Sequence, residues 1–131
     1  MGRPGDGLLV RPQDRERGGS VVTIDAILQT DGLTAQHVVV HHYAKGFDDL
    51  IEFFDRLAED WRGFTGERTF TSLEGDLALA ARHDGHVQLR VTLRQSTLPD
   101  GWTAEAHVRL DPGEQLSRVV EDLRLALEDR T

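Results

Sequence analysis

Four consecutive segments between residues 68 and 110 share an alternation of apolar and polar residues, with glycine-containing turns between them. Such alternation is typical of strands that pack one face on a core and leave the other in solvent. Short turns join antiparallel neighbours, because a parallel pair needs a crossover of a dozen or more residues. The second half of the chain therefore predicts a four-stranded antiparallel meander.

The turns of this meander set its register. A two-residue turn at Glu74-Gly75 places Phe70 opposite Leu79, which puts both side chains on one face. In the next hairpin, a two-residue turn would send the apolar residues of the two strands to opposite faces. A three-residue loop at residues 83–85, with Gly85 in a left-handed conformation, keeps these residues together, and we predict that loop.

The first half of the chain begins with less regular sequence. Residues 1–19 are rich in glycine, proline and charge and are expected to form a flexible tail, in which residues 8–10 are the candidate for a short edge strand. A strand at residues 22–28 is followed by a hairpin at Asp31-Gly32. The return strand runs from about residue 33 to 43, and its register stays open because the valines at 38–40 suit either face.

Two segments have helical spacing of apolar residues. The first apolar stripe begins at Phe47 and ends at Trp61, and Gly63 is placed to end the helix in a left-handed cap. The second helix follows the sequence Asp-Pro-Gly-Glu, in which Asp111 is the expected N-cap and Glu114 completes a capping box.

Together these elements predict the order β-β-α-β-β-β-β-α. We expect an α+β protein in which a mostly antiparallel sheet of about six strands carries both helices on one face. A chain of 131 residues suits a single domain, which spans residues 20–131 after the tail at 1–19.

Composition narrows the location and the partners. The chain has no cysteine and a formal net charge of −8 at pH 7. It begins with a polar, glycine-rich stretch rather than an apolar signal, and its aliphatic runs are too short to span a membrane. We expect a cytoplasmic protein with neither membrane nor nucleic acid as a partner, because an acidic surface repels phosphates and attracts basic proteins.

The histidines do not predict a metal site. His37 and His41 are four residues apart, but on a strand this spacing separates them by about 13 Å, too far to share an ion. His83 and His86 flank a tight loop, where exposed turn residues are the simpler interpretation. The chain also lacks the common catalytic and nucleotide-binding motifs, so no cofactor is predicted.

Two charged surfaces are candidates for partner binding. An acidic stripe on the first helix, within about 60° at 100° per residue, consists of Asp48, Glu52, Asp55 and Glu59. A mostly basic set on the open face of the meander consists of Arg90, Arg94, His107 and Arg109. Each set is either an ordinary solvated face or a docking surface.

The stretch WRGFTGERTFTSLEG, residues 61–75, forms what we call the aromatic corner. The favoured interpretation is structural: Trp61 closes the helix stripe, and Phe64 and Phe70 fix the helix to the sheet. The alternative is a pocket for catalysis or for a small molecule, formed by Trp61, Phe64, Glu67, Arg68 and Glu74.

A longer stretch, GFDDLIEFFDRLAEDWRGFTGERTFTSLEGDLALAARHDGHVQLRVTLR, resembles an uncharacterised domain family of actinobacteria. The motifs that carry the resemblance are W-x-G-x-x-G-E-R, S-x-E-G and H-D-G-H-V, and it covers about 110 residues. It implies a fold-sized unit but no catalytic residues. The layout is more distantly similar to immunity proteins of the wall-associated toxin type, which are small acidic cytoplasmic proteins that bind and block a toxin domain.

The leading hypothesis is a non-enzymatic protein-binding module, immunity-like, that binds and blocks a basic, toxin-like partner. The alternative is a small enzyme or small-molecule binder with a pocket at the aromatic corner. A homodimer is also expected, because Leu125 lies opposite the apolar stripe of the last helix and because bare strand edges can pair with a copy.

Overall fold

The computed structural model describes residues 2–3, 6–15, 21–40, 46–95 and 100–127. Within them the chain forms eight strands and two helices. The strands are β1 (Gly2–Arg3), β2 (Asp6–Arg15), β3 (Val21–Thr30), β4 (Leu33–Val40), β5 (Arg68–Thr71), β6 (Leu77–His83), β7 (Val87–Arg94) and β8 (Thr103–Leu110). The helices are α1 (Asp48–Glu59) and α2 (Glu114–Leu127). Neither of these helices is long and apolar enough to cross a membrane.

The strands form two antiparallel sheets. Sheet 1 has the order β1-β2-β3-β4 and sheet 2 has the order β5-β6-β7-β8. The predicted α+β class is confirmed, as is the order β-β-α-β-β-β-β-α, counted from β3. The strands divide between two sheets rather than one, and α1 connects the last strand of sheet 1 to the first strand of sheet 2.

β2 occupies residues that the sequence placed in a flexible tail. Its ten residues pair with β3, and Leu8 is 1% exposed. The strand extends well beyond the short edge strand considered at residues 8–10, because pairing with β3 satisfies its backbone groups along its length. Residues 16–19 of the predicted tail lie outside the described part of the chain.

The first hairpin has the predicted turn, with Thr30 opposite Leu33. The register that the sequence left open is resolved by burial, since Val39 is 1% exposed and Val38 is 37% exposed. Val39 lies opposite Ile24, so the buried face of β3 sets the phase of β4. Residues 41–43 of the predicted return strand lie outside the described residues.

The first hairpin of sheet 2 has the predicted register but a longer turn. Phe70 lies opposite Leu79 as predicted, but the Ser72 N–H donates to the Leu77 carbonyl and the Gly75 N–H to the Ser72 carbonyl, both at 2.9 Å, so the turn consists of residues 73–76 rather than two residues. His83 lies opposite Val87, so the next loop has three residues as predicted but lies at 84–86, one residue later in the chain.

This loop is held by Asp84, which is fully exposed. The side-chain amide of Gln88 donates a hydrogen bond to Asp84 Oδ1 at 3.4 Å, and so does the backbone N–H of His86. These two bonds lower the pKa of Asp84 below its ordinary value of 3.8, and the bond from Gln88 has the larger effect. Gly85 supplies the positive φ of 98° that the loop requires.

The core lies between the two sheets and the two helices. β2 contacts β8 and β4 contacts β7, while α1 contacts β5 and α2 contacts both α1 and β2. Along β8 every second residue from Ala104 to Leu110 is buried, and the residues between them are exposed. Sheet 1 and the helices therefore cover the inner face of sheet 2, and its outer face remains in solvent.

The predicted cap of α1 is wrong. The helix ends at Glu59, and Gly63 has a φ of 148°, far from the left-handed value near +57°. The Gly63 N–H instead donates to the carbonyl of Asp60 at 3.0 Å, so Gly63 belongs to the turn after the helix.

The predicted N-cap of α2 is also wrong. The Ser117 N–H donates to the carbonyl of Gly113 at 2.9 Å, so the first helical bond begins at Gly113. Asp111 lies before the helix, and its own N–H donates to Gln115 Oε1 at 2.6 Å. The glutamine side chain therefore ties the end of β8 to the first turn of α2.

Trp61 does not close the apolar stripe of α1, since it is 45% exposed. The helix ends two residues earlier, at Glu59, and helical spacing no longer decides where Trp61 points. Its ring lies instead beneath the Arg62 guanidinium, 5.1 Å from the ring centroid. The other two aromatic residues of the corner do pack as expected, with Phe70 buried and Phe64 half-buried against the core.

Candidate functional site

A groove of about 910 Å³ lies between α1 and β5. One wall is a row of α1 residues at helical spacing, together with the residue after the helix: Asp49, Glu52, Phe53, Arg56, Glu59 and Asp60. The other wall is the whole of β5, Arg68–Thr71. We call this feature the α1–β5 groove.

The base of the groove is aromatic. Phe70 is buried on the inner face of sheet 2, and Phe53 is half-buried on α1. Their ring centroids are 6.2 Å apart, and Phe53 also packs edge-on against Phe54 at 5.2 Å. These contacts fix the helix beside the strand, and they provide an apolar floor under a polar rim.

The rim carries more negative than positive charge. Four carboxylates stand against two guanidinium groups, a formal charge of −2. Glu52 lies 2.6 Å from Arg56 and Asp60 lies 2.7 Å from Arg68, and such exposed pairs stabilise the fold by about 1 kcal/mol or less. Among the described residues, no ion pair joins Glu59 to a cation, so the rim keeps a negative potential near that residue.

The strand beside the groove is an edge strand. Among the described strands, β5 pairs with β6 alone. The Ser72 N–H donates to the Leu77 carbonyl at 2.9 Å, which makes their positions a hydrogen-bonded pair. Because antiparallel ladders alternate, the N–H and C=O groups of Thr69 and Thr71 point away from β6, toward the groove. Both threonines are exposed.

The predicted acidic stripe is divided by the packing of the helices. Glu52 and Glu59 line the groove. Asp55 lies 3.2 Å from Arg124 of α2 and ties the two helices together. Asp48 is exposed at the first turn of α1. The structure therefore brings only half of the stripe to the groove.

The predicted basic set lies on the outer face of sheet 2, where most of its members have local partners. Arg109 lies 2.7 Å from His86 Nδ1, and Arg94 donates to the carbonyl of Gly75 at 3.4 Å. These contacts are typical of a solvated sheet face.

Two further members of this set face carboxylates on the same surface. Arg90 lies 3.9 Å from Glu67, and His107 lies 3.6 Å from Glu105. The basic set is therefore spread across the outer face and does not line the α1–β5 groove.

The residues predicted to form a pocket at the aromatic corner point in different directions. The Arg68 guanidinium lies 4.2 Å from the Phe64 ring centroid, whereas Glu67 lies 3.3 Å from Arg82. Glu74 is exposed in the turn before β6. Of the proposed pocket residues, Arg68 lines the groove and the others do not.

A buried polar cluster joins the two sheets, and sequence reasoning missed it. Ser72 donates to Asp76 Oδ1 at 2.6 Å, and Asp76 Oδ2 lies 2.9 Å from His37 Nε2 on β4, without a hydrogen bond of standard geometry. Asp76 is 4% exposed, and the His37 ring packs edge-on against Trp102 at 6.2 Å.

This cluster contains serine, aspartate and histidine but is not arranged as a nucleophile. The Ser72 hydroxyl donates to the carboxylate rather than to the histidine, so the histidine is not placed as a base for the serine as it is in a Ser-His-Asp triad. The Ser72 hydroxyl instead bonds Asp76 Oδ1 and the Leu77 N–H within the turn before β6. The described residues also contain no group of three or more potential metal ligands.

The groove residues that the sequence did not single out include Asp49, Phe53 and Arg56, which share one row of α1. A helical projection contains this signal, because residues three and four apart lie on one side. The participation of Thr69 and Thr71 had no comparable signal, since it depends on which edge of β5 remains unpaired.

A comparison with protein-family models matches residues 5–130 to a family described as "Family of unknown function (DUF6228)". The chain belongs to this family. Neither curated proteins nor solved structures provide a match. Membership of DUF6228 confirms the resemblance to an uncharacterised domain family, and the description of DUF6228 contains no activity.

Proposed function

We propose that this protein is a non-enzymatic binding module that holds a basic partner protein in the α1–β5 groove. The observation that supports this most directly is the acidic rim beside an edge of β5 that pairs with none of the described strands. In this proposal the protein works in the cytoplasm in the manner of an immunity protein, by covering a basic, toxin-like partner.

Electrostatics supports a basic partner. The chain has a formal net charge of −8, which accelerates encounters with positively charged proteins. At the groove, an incoming lysine or arginine meets Glu59, which has no ion pair among the described residues, and Glu52, whose pair with Arg56 is exposed and weak. Binding there replaces the weak ion pair of Glu52 with Arg56 by an ion pair between Glu52 and the partner, which the partner partly shields from water.

The alternative, an enzyme or small-molecule binder at the aromatic corner, has less support. Trp61 is exposed, and Glu67 faces the arginines Arg82 and Arg90 rather than a cavity that it shares with Phe64. A carboxylate held between two exposed guanidinium groups is typical of a surface ion-pair network.

Charge reversal tests the proposal. The tagged protein first recovers basic partners from its source cells, and association is then measured with a purified partner at low salt. We expect Glu52→Lys with Glu59→Lys to reduce the association rate by about tenfold or more, with a smaller effect as salt rises. The melting temperature should barely change, because both side chains are exposed.

A matched control has Glu121→Lys with Asp122→Lys, which makes the same charge change on exposed residues of α2. The control should bind nearly as well as the native protein. Equal losses in the two variants would show that net charge alone attracts the partner, and no loss in either would remove the groove as the site.

A further inference from the structure

The outer edge of β5, which no other strand in the described part of the chain occupies, indicates how a partner enters the groove. We infer that the partner supplies an extended basic segment that adds to sheet 2 as a new strand beside β5. This inference rests on the proposed function, and it specifies the backbone geometry and side-chain pattern of the bound segment.

The backbone of β5 is ready for such pairing. The N–H and C=O groups of Thr69 and Thr71 face the groove, as the Ser72–Leu77 hydrogen bond requires. The pairing of β5 with β6 runs without a bulge, and its sequence, RTFT, contains no proline or lysine. Bulges, prolines and lysines are among the devices that block edge pairing, and β5 has none of these three. Its length of four residues limits the paired part of an added strand to a short segment.

The two walls of the groove predict the side chains of the segment. Side chains on neighbouring strands share a face when their residues lie opposite each other. A residue opposite Phe70 therefore points to the inner side, where Phe53 provides an apolar contact. The residues two positions before and after it point the same way, toward the α1 row that contains Glu52 and Glu59. One of them lies opposite Arg68, whose charge is balanced by Asp60 at 2.7 Å, and the other lies opposite Ser72. The expected inner pattern is basic, apolar, basic.

The remaining positions of the segment point to the outer face. There they lie beside Thr69 and Thr71, which are exposed. The same face carries Arg82 and Arg90 around Glu67, so further positive charge is disfavoured. Threonine or another small polar residue fits these positions, since threonine pairs well across strands.

A second copy of this chain is a poorer occupant of the groove. Pairing of β5 with β5 of another molecule would bring two rims together, each with four carboxylates against two guanidinium groups. Like charges in close register destabilise such an interface. The observations therefore favour a basic segment from a different protein.

The probe is a synthetic peptide with blocked ends and the sequence threonine-arginine-threonine-valine-threonine-arginine-threonine. Its arginine and valine residues supply the inner pattern. Two further versions carry N-methyl groups, one on the threonines that flank valine and the other on the two arginines. In an extended strand the two alternate sets of amides point to opposite edges, so one version loses the bonds to β5 and the other keeps them.

Binding to the full chain is measured by calorimetry. We expect one methylated peptide to bind about tenfold or more weakly than the parent and the other to bind nearly as the parent does, since only one of them loses hydrogen bonds to β5. Hydrogen exchange at the Thr69 and Thr71 amides should slow when the parent peptide is added.

Several outcomes would overturn strand addition. The first two are equal binding of the two methylated peptides and no binding of the parent peptide. The third is slow exchange of the Thr69 and Thr71 amides at high protein concentration without peptide, because this would indicate pairing with a second copy. If the parent binds, and Glu52→Gln with Glu59→Gln weakens it, but methylation has no effect, the basic-partner function stands and the strand mechanism fails. A failed charge-reversal test with the partner protein would remove the function itself.

Discussion

At the scale of single residues, Trp61 is exposed rather than part of the core because it lies after the end of α1. The apolar spacing of α1 continues in sequence to Trp61, but the helix ends at Glu59 and the indole is 45% exposed. Phe54, at the centre of the same stripe, is fully buried. Two aromatic residues with the same sequence pattern thus have different energetic roles.

Substitution separates these roles. We expect Trp61→Ala to change the free energy of unfolding by about 0.5 kcal/mol or less, as surface substitutions do. Phe54→Ala should cost about 3–5 kcal/mol, because it leaves a cavity in the core. Urea unfolding of both variants measures the difference, and comparable losses in the two would show that Trp61 packs in the core after all.

At the scale of secondary-structure elements, the seam between the sheets depends on buried polar contacts. The turn before β6 contributes Ser72 and Asp76, and β4 contributes His37. The backbone N–H of Leu77 also donates to Ser72 Oγ at 3.0 Å. The serine hydroxyl is therefore both donor and acceptor, and it joins the turn to the carboxylate that faces the other sheet.

A double-mutant cycle tests this arrangement. Ser72→Ala and Asp76→Ala should each cost about 1–3 kcal/mol, because each leaves a buried partner without its hydrogen bond. The double variant should cost less than the sum, with a coupling of about 0.5–3 kcal/mol. Ser117→Ala, at an exposed position of α2, is the control and should change stability little. Strict additivity would show that the two side chains act independently.

At the scale of the whole molecule, the two charged surfaces are separate. The groove has a formal charge of −2, whereas the outer face of sheet 2 carries Arg82, Arg90 and Arg109. An exposed apolar side chain also lies away from the groove, since Leu125 of α2 is 69% exposed. A partner at the groove and contacts between copies elsewhere are therefore compatible.

We expect a homodimer in which Leu125 is buried between copies. Light scattering across a concentration series measures its mass, and Leu125→Glu should shift the protein toward the monomer. Leu73→Glu is the matched control, because Leu73 is also an exposed leucine, at 48%, but lies in the turn before β6. A monomer at every concentration of the native protein would contradict the prediction.

The sequence by itself determined the parts of this protein that local patterns encode. Alternation, helical spacing and turn residues predicted the order of elements, the hairpin at Asp31-Gly32 and the pairing of Phe70 with Leu79. These features are predictable because side-chain periodicity and turn chemistry act over a few residues. The acidic stripe of α1 was also predictable from the sequence. The sequence did not show that some of its residues line the groove whereas Asp55 pairs with α2.

Only the tertiary structure decided which surfaces and edges remain available. The groove exists because α1 packs beside an edge strand, and the contact of His37 with Asp76 joins β4 of sheet 1 to the turn before β6. Asp55 does not line the groove with Glu52 and Glu59, because α2 packs against α1 and places Arg124 3.2 Å from it. Each outcome depends on elements far apart in sequence, and no local pattern specifies which of them meet, because packing of the whole core selects the neighbours of every face and edge.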